Sequence, residues 1–500
     1  MKTRLRTAVG PTASCALFCL FGCLTTAAPA PAQRAGRTVV GPHARFSQIL
    51  GRPTDKTVAL SLHCAEERTA YVEIDDGKGG VRKLPQVDLT AGVPREIEID
   101  GLKPDAAYRY RVFTRAKGKQ EFTAEPESTL RTRRAPGATF VFGVQGDSHP
   151  ERTGKMFHQD LYARTLANVV KDSPDLYFTL GDDFSIERLI ERKTATQSSV
   201  DAVYALQRGF LGAVGRSTSL FLVNGNHEQA ARYLLDGTPE NPAVFAAKAR
   251  TRFFPLPAPD GFYTGDEEEV PHIGLLRDYY AFTWGDALFV TLDPYWHSPT
   301  AVDNRAGETA KNGKKGGKGD RDLWEITLGE AQYRWLARTL SQSKARWKFV
   351  FAHHVNGTGR GGVEVATGYE WGGRRGNREE FATRRPTWDF PVHALMAVHG
   401  VTIFFQGHDH LYARQELDGV VYQSTPNPAD DTYTAFNREA YRTGEALPNS
   451  GHLRVTVSPA EVRVAYVRSF LPAHEDATRV HGAVAAEYRL TPRPKPQESK

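Results

Sequence analysis

The run Leu176-Tyr-Phe-Thr-Leu-Gly-Asp182-Asp183 is an unbroken apolar stretch of strand length that stops at a glycine and delivers carboxylates. Such an unalternating run suits a strand covered on both faces. The same arrangement recurs along the chain. Thr139-Phe-Val-Phe-Gly-Val precedes Asp147-Ser-His149, and Ser219-Leu-Phe-Leu-Val precedes Gly225-Asn226-His227-Glu228. Trp347-Lys-Phe-Val-Phe-Ala precedes His353-His354, and Val401-Thr-Ile-Phe-Phe precedes Gly407-His408-Asp409-His410. In open α/β sheets, functional side chains gather beyond the carboxyl ends of the strands. Gly181, Gly225 and Gly407 are expected to supply the tight turns at those ends.

The segments between these runs agree with that reading. Phe157 to Lys171 is helix-like, and Thr327-Leu-Gly-Glu330 reads as a capping box opening a helix through about Leu340. Ala287-Leu-Phe-Val-Thr-Leu adds a strand. Leu453-Arg-Val-Thr-Val and Val462-Arg-Val-Ala-Tyr-Val close as a hairpin around Ser458-Pro-Ala-Glu. From Ala138 onward the alternation of strand and helix predicts an α/β sandwich. Residues 38–133 differ. Thr57-Val-Ala-Leu-Ser-Leu and Thr69-Ala-Tyr-Val-Glu-Ile alternate, and Gly101-Leu-Lys-Pro-Asp is turn chemistry, so this part reads as a small all-β sandwich. It reads as a structural spacer, and Arg131-Thr-Arg-Arg-Ala-Pro-Gly as a linker.

Taken together and in this order, the five clusters resemble the binuclear metallophosphoesterase superfamily, with its calcineurin-like and purple-acid-phosphatase-like enzymes. The resemblance implies a four-layer α/β/β/α sandwich over residues 138–490. It also implies a fibronectin-type-III-like domain over 38–133, on the strength of Leu102-Lys-Pro-Asp-Ala-Ala-Tyr-Arg-Tyr-Arg-Val. By resemblance, Asp147, His149 and His410 serve a first metal, and Asp182 bridges. Asn226, His353 and His408 serve a second metal, and His227 sits beside the substrate as general acid or transition-state stabiliser. Alternation in a strand turns only one of His353 and His354 toward the site, and the match to the family's strand-end histidine favours His353.

Two ions ~3.5–4 Å apart neutralise a transferring phosphoryl group and activate water. A mixed Asp, His and Asn set suits Zn, Mn or Fe, as divalent or mixed-valence ions. Purple acid phosphatases carry a Tyr three residues after the Asp of Gly-Asp, where this chain has Ser185, and they lack the equivalent of His149. Their coloured Fe(III) site is therefore not implied. The Gly-Asp-x-x-Asp-Arg-Gly of Ser/Thr protein phosphatases is absent as well. The implied activity is a metal-dependent phosphohydrolase in which a metal-bound hydroxide attacks a small phosphorylated substrate, with monoesters, diesters and nucleotides all open. The reading from another class is a cell-surface binding protein on a non-catalytic scaffold of the same fold. Against it, none of the seven expected ligand positions is replaced.

Composition bounds the rest. The 500 residues suffice for several domains, and a formal net charge of +6 with no basic-aromatic stripe gives no support for a nucleic-acid partner. Residues 1–32 read as an export signal: Lys2, Arg4 and Arg6, an apolar stretch from Ala13 to Leu24, then Ala30-Pro-Ala32. The expected location is periplasmic, secreted or surface-anchored. Leu20-Phe-Gly-Cys23 resembles a lipoprotein box, so lipidation of Cys23 is the minority route to a membrane. Cys64 is alone in the remaining chain and is expected buried in a strand. Two insertions stand out. Lys311-Asn-Gly-Lys-Lys-Gly-Gly-Lys-Gly-Asp reads as a surface loop, and the arginine-rich stretch 357–389 as a candidate for shaping a substrate pocket. Asp293 and His297 read as part of a structural loop after a strand.

Overall fold

The computed structural model describes residues 45–75, 77, 79–302, 322–355 and 359–493. The export-signal segment 1–32 with Cys23, and the Lys/Gly-rich run 311–320, lie outside the described residues.

The N-terminal part is built of β1 (Phe46–Gly51), β2 (Val58–Cys64), β3 (Arg68–Asp75), β4 (Val81–Lys83), β5 (Val87–Leu89), β6 (Arg95–Ile99), β7 (Ala107–Ala116), β8 (Thr123–Ala124) and β9 (Ser128–Arg131). One antiparallel sheet has the order β1-β2-β6, and a second is centred on the pair β3-β7. Alternation in β7 buries Tyr108, Tyr110 and Val112 against Leu60 and Leu62 of β2 and Val72 of β3. This is the expected sandwich, and Cys64 is buried in it and free.

The α/β part follows in chain order. Its first half comprises β10 (Phe140–Gln145), α1 (Gln159–Asp172), β11 (Leu176–Thr179), α2 (Glu187–Glu191), α3 (Gln197–Gly215), β12 (Ser219–Leu222) and α4 (Pro242–Phe253). Next come β13 (Thr264–Gly265), the two-residue pair β14 (Glu269–Val270) and β15 (Gly274–Leu275), β16 (Tyr280–Trp284), β17 (Ala287–Thr291), α5 (Gly329–Gln342) and β18 (Trp347–Phe351). After the small pair β19 (Arg374–Arg375) and β20 (Arg378–Glu379) come α6 (Val392–Val398), β21 (Ile403–Gln406), β22 (Tyr412–Leu417), β23 (Val420–Ser424), β24 (Glu445–Leu447), β25 (Gly451–Val457), β26 (Val462–Arg468) and β27 (Val484–Leu490).

Two large sheets result, with orders β12-β11-β10-β25-β26-β27 and β13-β16-β17-β18-β21-β23-β22-β24. Their facing sides share one aromatic core. Phe178 stacks on Phe351 with ring centroids 4.2 Å apart, and Phe351 stacks on Phe405 at 5.1 Å. The outer face of the first sheet is covered by α1, α3 and α4, through Leu166, Phe210 and Ala249 among others. The outer face of the second is covered by α5 and α6 through Leu336, Leu340 and Met396. The result is the four-layer α/β/β/α arrangement. Burial on both faces explains why β11, β12, β17, β18 and β21 are buried throughout and show no alternation.

Two local expectations change. Thr327 does accept a bond from the Gly329 amide at 2.8 Å at the start of α5, but Glu330 does not complete the box. Its carboxylate instead accepts from the Trp388 indole at 2.7 Å, because the tryptophan packs over that first turn. The Arg131–Gly137 stretch is anchored at its start. Arg131 belongs to β9, and Arg131 and Arg134 grip the buried Asp175 at 3.2 and 2.6 Å.

Arg208 of α3 fixes the sandwich to the α/β part. It is fully buried and donates to Ser47 Oγ of β1 at 2.9 Å, to the Ser61 carbonyl of β2 at 2.6 Å and to the Phe253 carbonyl of α4. An Arg208→Met variant leaves these acceptors buried without a donor, each worth ~1–3 kcal/mol. It is expected to lower the first unfolding midpoint in a urea titration followed by tryptophan fluorescence. An unchanged midpoint would remove Arg208 as the anchor.

Candidate metal centre

β10, β11 and β12 run parallel in one sheet, and β18 and β21 run parallel in the other. The residues just past these strands meet. Asp147 is 0 % exposed; its Oδ1 accepts from the His408 amide at 2.7 Å. Its Oδ2 lies 3.1 Å from His410 Nε2 and 3.9 Å from both His149 Nε2 and His353 Nε2. Asp182 Oδ1 accepts from the His227 amide at 2.9 Å. Its Oδ2 lies 3.1 Å from His353 Nε2, 3.7 Å from His149 Nε2 and 3.8 Å from His227 Nε2. Asn226 Oδ1 is 3.0 Å, and His408 Nδ1 3.2 Å, from the same His353 nitrogen. All seven sequence-derived ligand candidates are buried, and all are brought together.

They fall into overlapping sets whose donor atoms lie within 4.8 Å of one another: Asp147, His149 and His410; Asp147, Asp182, His353 and His408; and His149, Asp182 and His227. Asp182 thus touches both sides of the pocket. His354 also reaches it, in a set with His353 and His408. Alternation does not separate His353 from His354, because β18 ends at Phe351 and the pair lies in a bend. The His354 ring stacks on His408 at 4.2 Å, and its Nδ1 lies 2.5 Å from the Tyr295 hydroxyl.

The backbone is bent to achieve this. His149, Asp182, His408 and His410 all have φ between 49° and 65°, a left-handed conformation costing ~1–3 kcal/mol each in ordinary residues and typical of functional sites. Of the three glycines expected to turn the chain, only Gly181 does so through a positive φ, 95°. Gly225 and Gly407 are needed for close approach. A Cβ on Gly225 would strike Asp182 Oδ1, and one on Gly407 would strike Asp147 Oδ1.

Several supporting residues were not assigned from sequence. Glu228 is 1 % exposed, and its carboxylate accepts from the amides of Gly225 at 2.7 Å, Asp182 at 3.1 Å, Asp183 at 2.8 Å and Phe184 at 3.1 Å. It ties the loop after β12 to the loop after β11. Glu151 faces His149 Nδ1 at 2.9 Å, and the Leu180 carbonyl faces His353 Nδ1 at 2.7 Å; both leave Nε2 directed at the carboxylates. Asp183 points away, accepting from Gln145, Ser148 and Gln207. Acids closing a ligand motif, as Glu228 closes Gly-Asn-His-Glu, were the available signal; spacing alone gives no direction for the side chain.

The electrostatics ask for a cation. Burial would push the Asp147 and Asp182 carboxyls up, but the facing histidines, His353 first, hold both below the usual range. Burial pulls His353 down, yet Asp182 and Asp147 raise it to about 10, so a positive charge between the two carboxylates is strongly favoured. His149 goes the other way: burial outweighs Glu151 and lowers it to about 4, leaving a neutral ring with a free lone pair. Asp147 Oδ2 and His149 Nε2 are buried and make no hydrogen bond among the described residues. A metal ion supplies the missing partner for both, and the mixed oxygen and nitrogen set fits Zn, Mn or Fe. Of the arginine-rich stretch, Arg360 comes closest to these residues, donating to the His408 carbonyl at 2.6 Å and to Asp409 at 3.1 Å. Arg374, Arg378, Arg384 and Arg385 are paired with local acids instead.

The sequence pattern of the calcineurin-like phosphoesterases matches residues 140–412, more than half of the chain and all five clusters. The chain belongs to the calcineurin-like phosphoesterase family. No curated protein matches it. Among solved structures, this phosphoesterase is similar to PhoD at 16 % identity and a TM-score of 0.58, over 89 % of this chain and 90 % of that one. It is also similar to the purple acid phosphatase PPD1 of yellow lupin (Lupinus luteus) at 14 % identity and a TM-score of 0.56, over 89 % and 74 % of the two chains. At such identities the likeness is one of fold. In this phosphoesterase, Glu228→Gln is expected to weaken metal binding ~10–100-fold, the usual cost of losing a partner that orients ligands. Titration with Mn2+ or Zn2+ reads this, and unchanged affinity would show that the two loops hold their places without it.

Proposed function

We propose that this calcineurin-like phosphoesterase is an exported hydrolase of small phosphate esters that uses two metal ions. Asp147, His149 and His410 would hold one, Asn226, His353 and His408 the other, and Asp182 would bridge them. The observation that carries the reading is the convergence of these side chains, from five strand ends in two sheets, around the oxygens of Asp147 and Asp182. When bound, such a pair supplies Lewis acidity toward phosphoryl oxygens and lowers the pKa of a coordinated water. The export reading rests on the basic and apolar pattern of residues 1–32.

His227 is the proton donor in this reading. Its Nδ1 is held by Glu187 of α2 at 2.5 Å, which directs Nε2 toward Asp182 and the pocket. Burial lowers its basicity, but Asp182 and Glu187 outweigh burial and raise its pKa to about 9; with Asp182 engaged by metal, Glu187 is the carboxylate left to favour the charged form needed to protonate a leaving alkoxide. Arg152 Nη2 lies 2.9 Å from Nε2. A guanidinium only donates, so this contact requires an unprotonated nitrogen, and Arg152 must turn aside when His227 carries its second proton.

The first experiment is elemental analysis of the purified protein, with turnover of p-nitrophenyl phosphate and its bis-ester after chelation and metal add-back. At least two ions per chain with restorable hydrolysis are expected of a chain that holds a binuclear site, and the preferred ester separates phosphomonoesterase from phosphodiesterase. Absence of metal and of turnover under every metal tried would overturn the proposal. Asp182→Asn is expected to lose the ions of this centre and its activity together. His227→Ala should keep its metal and lose ~10²–10⁴-fold in kcat on alkyl esters, with a smaller loss on p-nitrophenyl esters, whose leaving group needs no proton. If His227→Ala loses metal instead, the ring is a ligand.

A further inference from the structure

A second cluster, sharing no residue with the centre, lies where three segments meet: Asp266 just after β13, Asp278 just before β16, and His297 in the loop after β17. One donor atom from each lies within 4.8 Å of the others. His297 Nε2 is 3.0 Å from Asp278 Oδ2, nearly the 3.1 Å that separates His410 from Asp147 and His353 from Asp182 at the centre. One oxygen of each aspartate is held by backbone: Asp278 Oδ1 by the Tyr279 amide at 2.8 Å and Asp266 Oδ1 by the Glu268 amide at 3.0 Å. Asp266 is 3 % exposed, and its other oxygen, Oδ2, is buried without a hydrogen-bond partner among the described residues.

The charge does not balance. Asp278 lies beside Asp266, the fully buried Asp293 lies near Asp278 and His297, and His297 is the one basic group that pairs with any of the three acids among the described residues. Asp293 has its own partners, the Asn224 side chain at 2.7 Å and the Tyr295 amide at 2.6 Å, so it is not needed as a donor.

We propose that Asp266, Asp278 and His297 form an additional cation site, separate from the catalytic centre, that takes a divalent transition ion such as Zn2+ or Mn2+. Two carboxylates and an imidazole suit such an ion better than Ca2+ or Mg2+, which favour all-oxygen shells. The ion braces the β13–β16 edge, where the Asp266 amide already donates to the Tyr279 carbonyl at 3.1 Å, to the loop after β17. The same loop after β17 carries Asp293, which accepts from Asn224, two residues before Asn226. The site stands independently of the proposed hydrolysis.

The test compares full-length wild type with Asp266→Asn, His297→Gln and Asp182→Asn, each stripped by chelator, reloaded with Mn2+ or Zn2+, desalted and measured by elemental analysis. Asp266→Asn and His297→Gln are each expected to hold one ion fewer per chain than wild type. Asp182→Asn keeps all three residues of the cluster and is expected to retain that ion. Equal metal content in wild type, Asp266→Asn and His297→Gln overturns the site and leaves a proton shared between the two aspartates as the neutralising charge. So does a metal-free Asp182→Asn, an arm that decides the matter even if the cluster variants do not fold. Failure of the binuclear reading is separately visible: Asp182→Asn would then match wild type while Asp266→Asn still falls short.

Discussion

Two carboxylates, Asp147 and Asp182, are held almost without exposure at the ends of neighbouring strands, and most of the architecture serves to make that tolerable. A buried negative charge is costly unless it is paired and hydrogen-bonded. Each aspartate therefore spends one oxygen on a backbone amide, Asp147 on that of His408 and Asp182 on that of His227. The other oxygen of each turns toward imidazole nitrogens. His353, His408 and His410 come from the opposite sheet, so the charges can be compensated only when the two sheets are stacked face to face. The aromatic core around Phe178, Phe351 and Phe405 is what sets that stacking, and with it the distance between the two groups of ligands.

The loops then absorb the remaining geometric demand. Left-handed backbone at His149, Asp182, His408 and His410 is unfavourable locally, and it persists because the surroundings over-determine it. Glu228 is the clearest instance, one carboxylate accepting from four amides on two loops. The neighbouring cluster of Asp266, Asp278 and His297 follows the same logic of buried acid against imidazole, at the edge of the second sheet.

Much of this was legible in the sequence, for a specific reason. The strands that carry the ligands are covered on both faces, so their apolar runs are unbroken, and a polar cluster directly after such a run marks a strand end without ambiguity. The hairpin around Ser458 and the helix starting near Gly329 were readable from local chemistry in the same way. What was misread depended on orientation. His353 and His354 look like alternating strand residues, but the strand stops two residues earlier and both rings turn inward. Glu330 looks like half of a capping box, but a distant tryptophan, Trp388, claims its carboxylate. Gly225 and Gly407 look like turn formers, and their true constraint is the nearness of a carboxylate from another strand.

The sequence by itself determined the order of strands and helices, the β-rich N-terminal part and the identity of the ligand candidates, because hydrophobic periodicity and turn chemistry are local properties. Tertiary structure alone decided which donor atoms meet, that His354 joins them, that Glu228 and Glu151 hold them in place, and that Asp266, Asp278 and His297 share one pocket. Those facts depend on distances between residues far apart in the chain. Such distances are fixed by how two twisted sheets pack, and no pattern within a single segment records them.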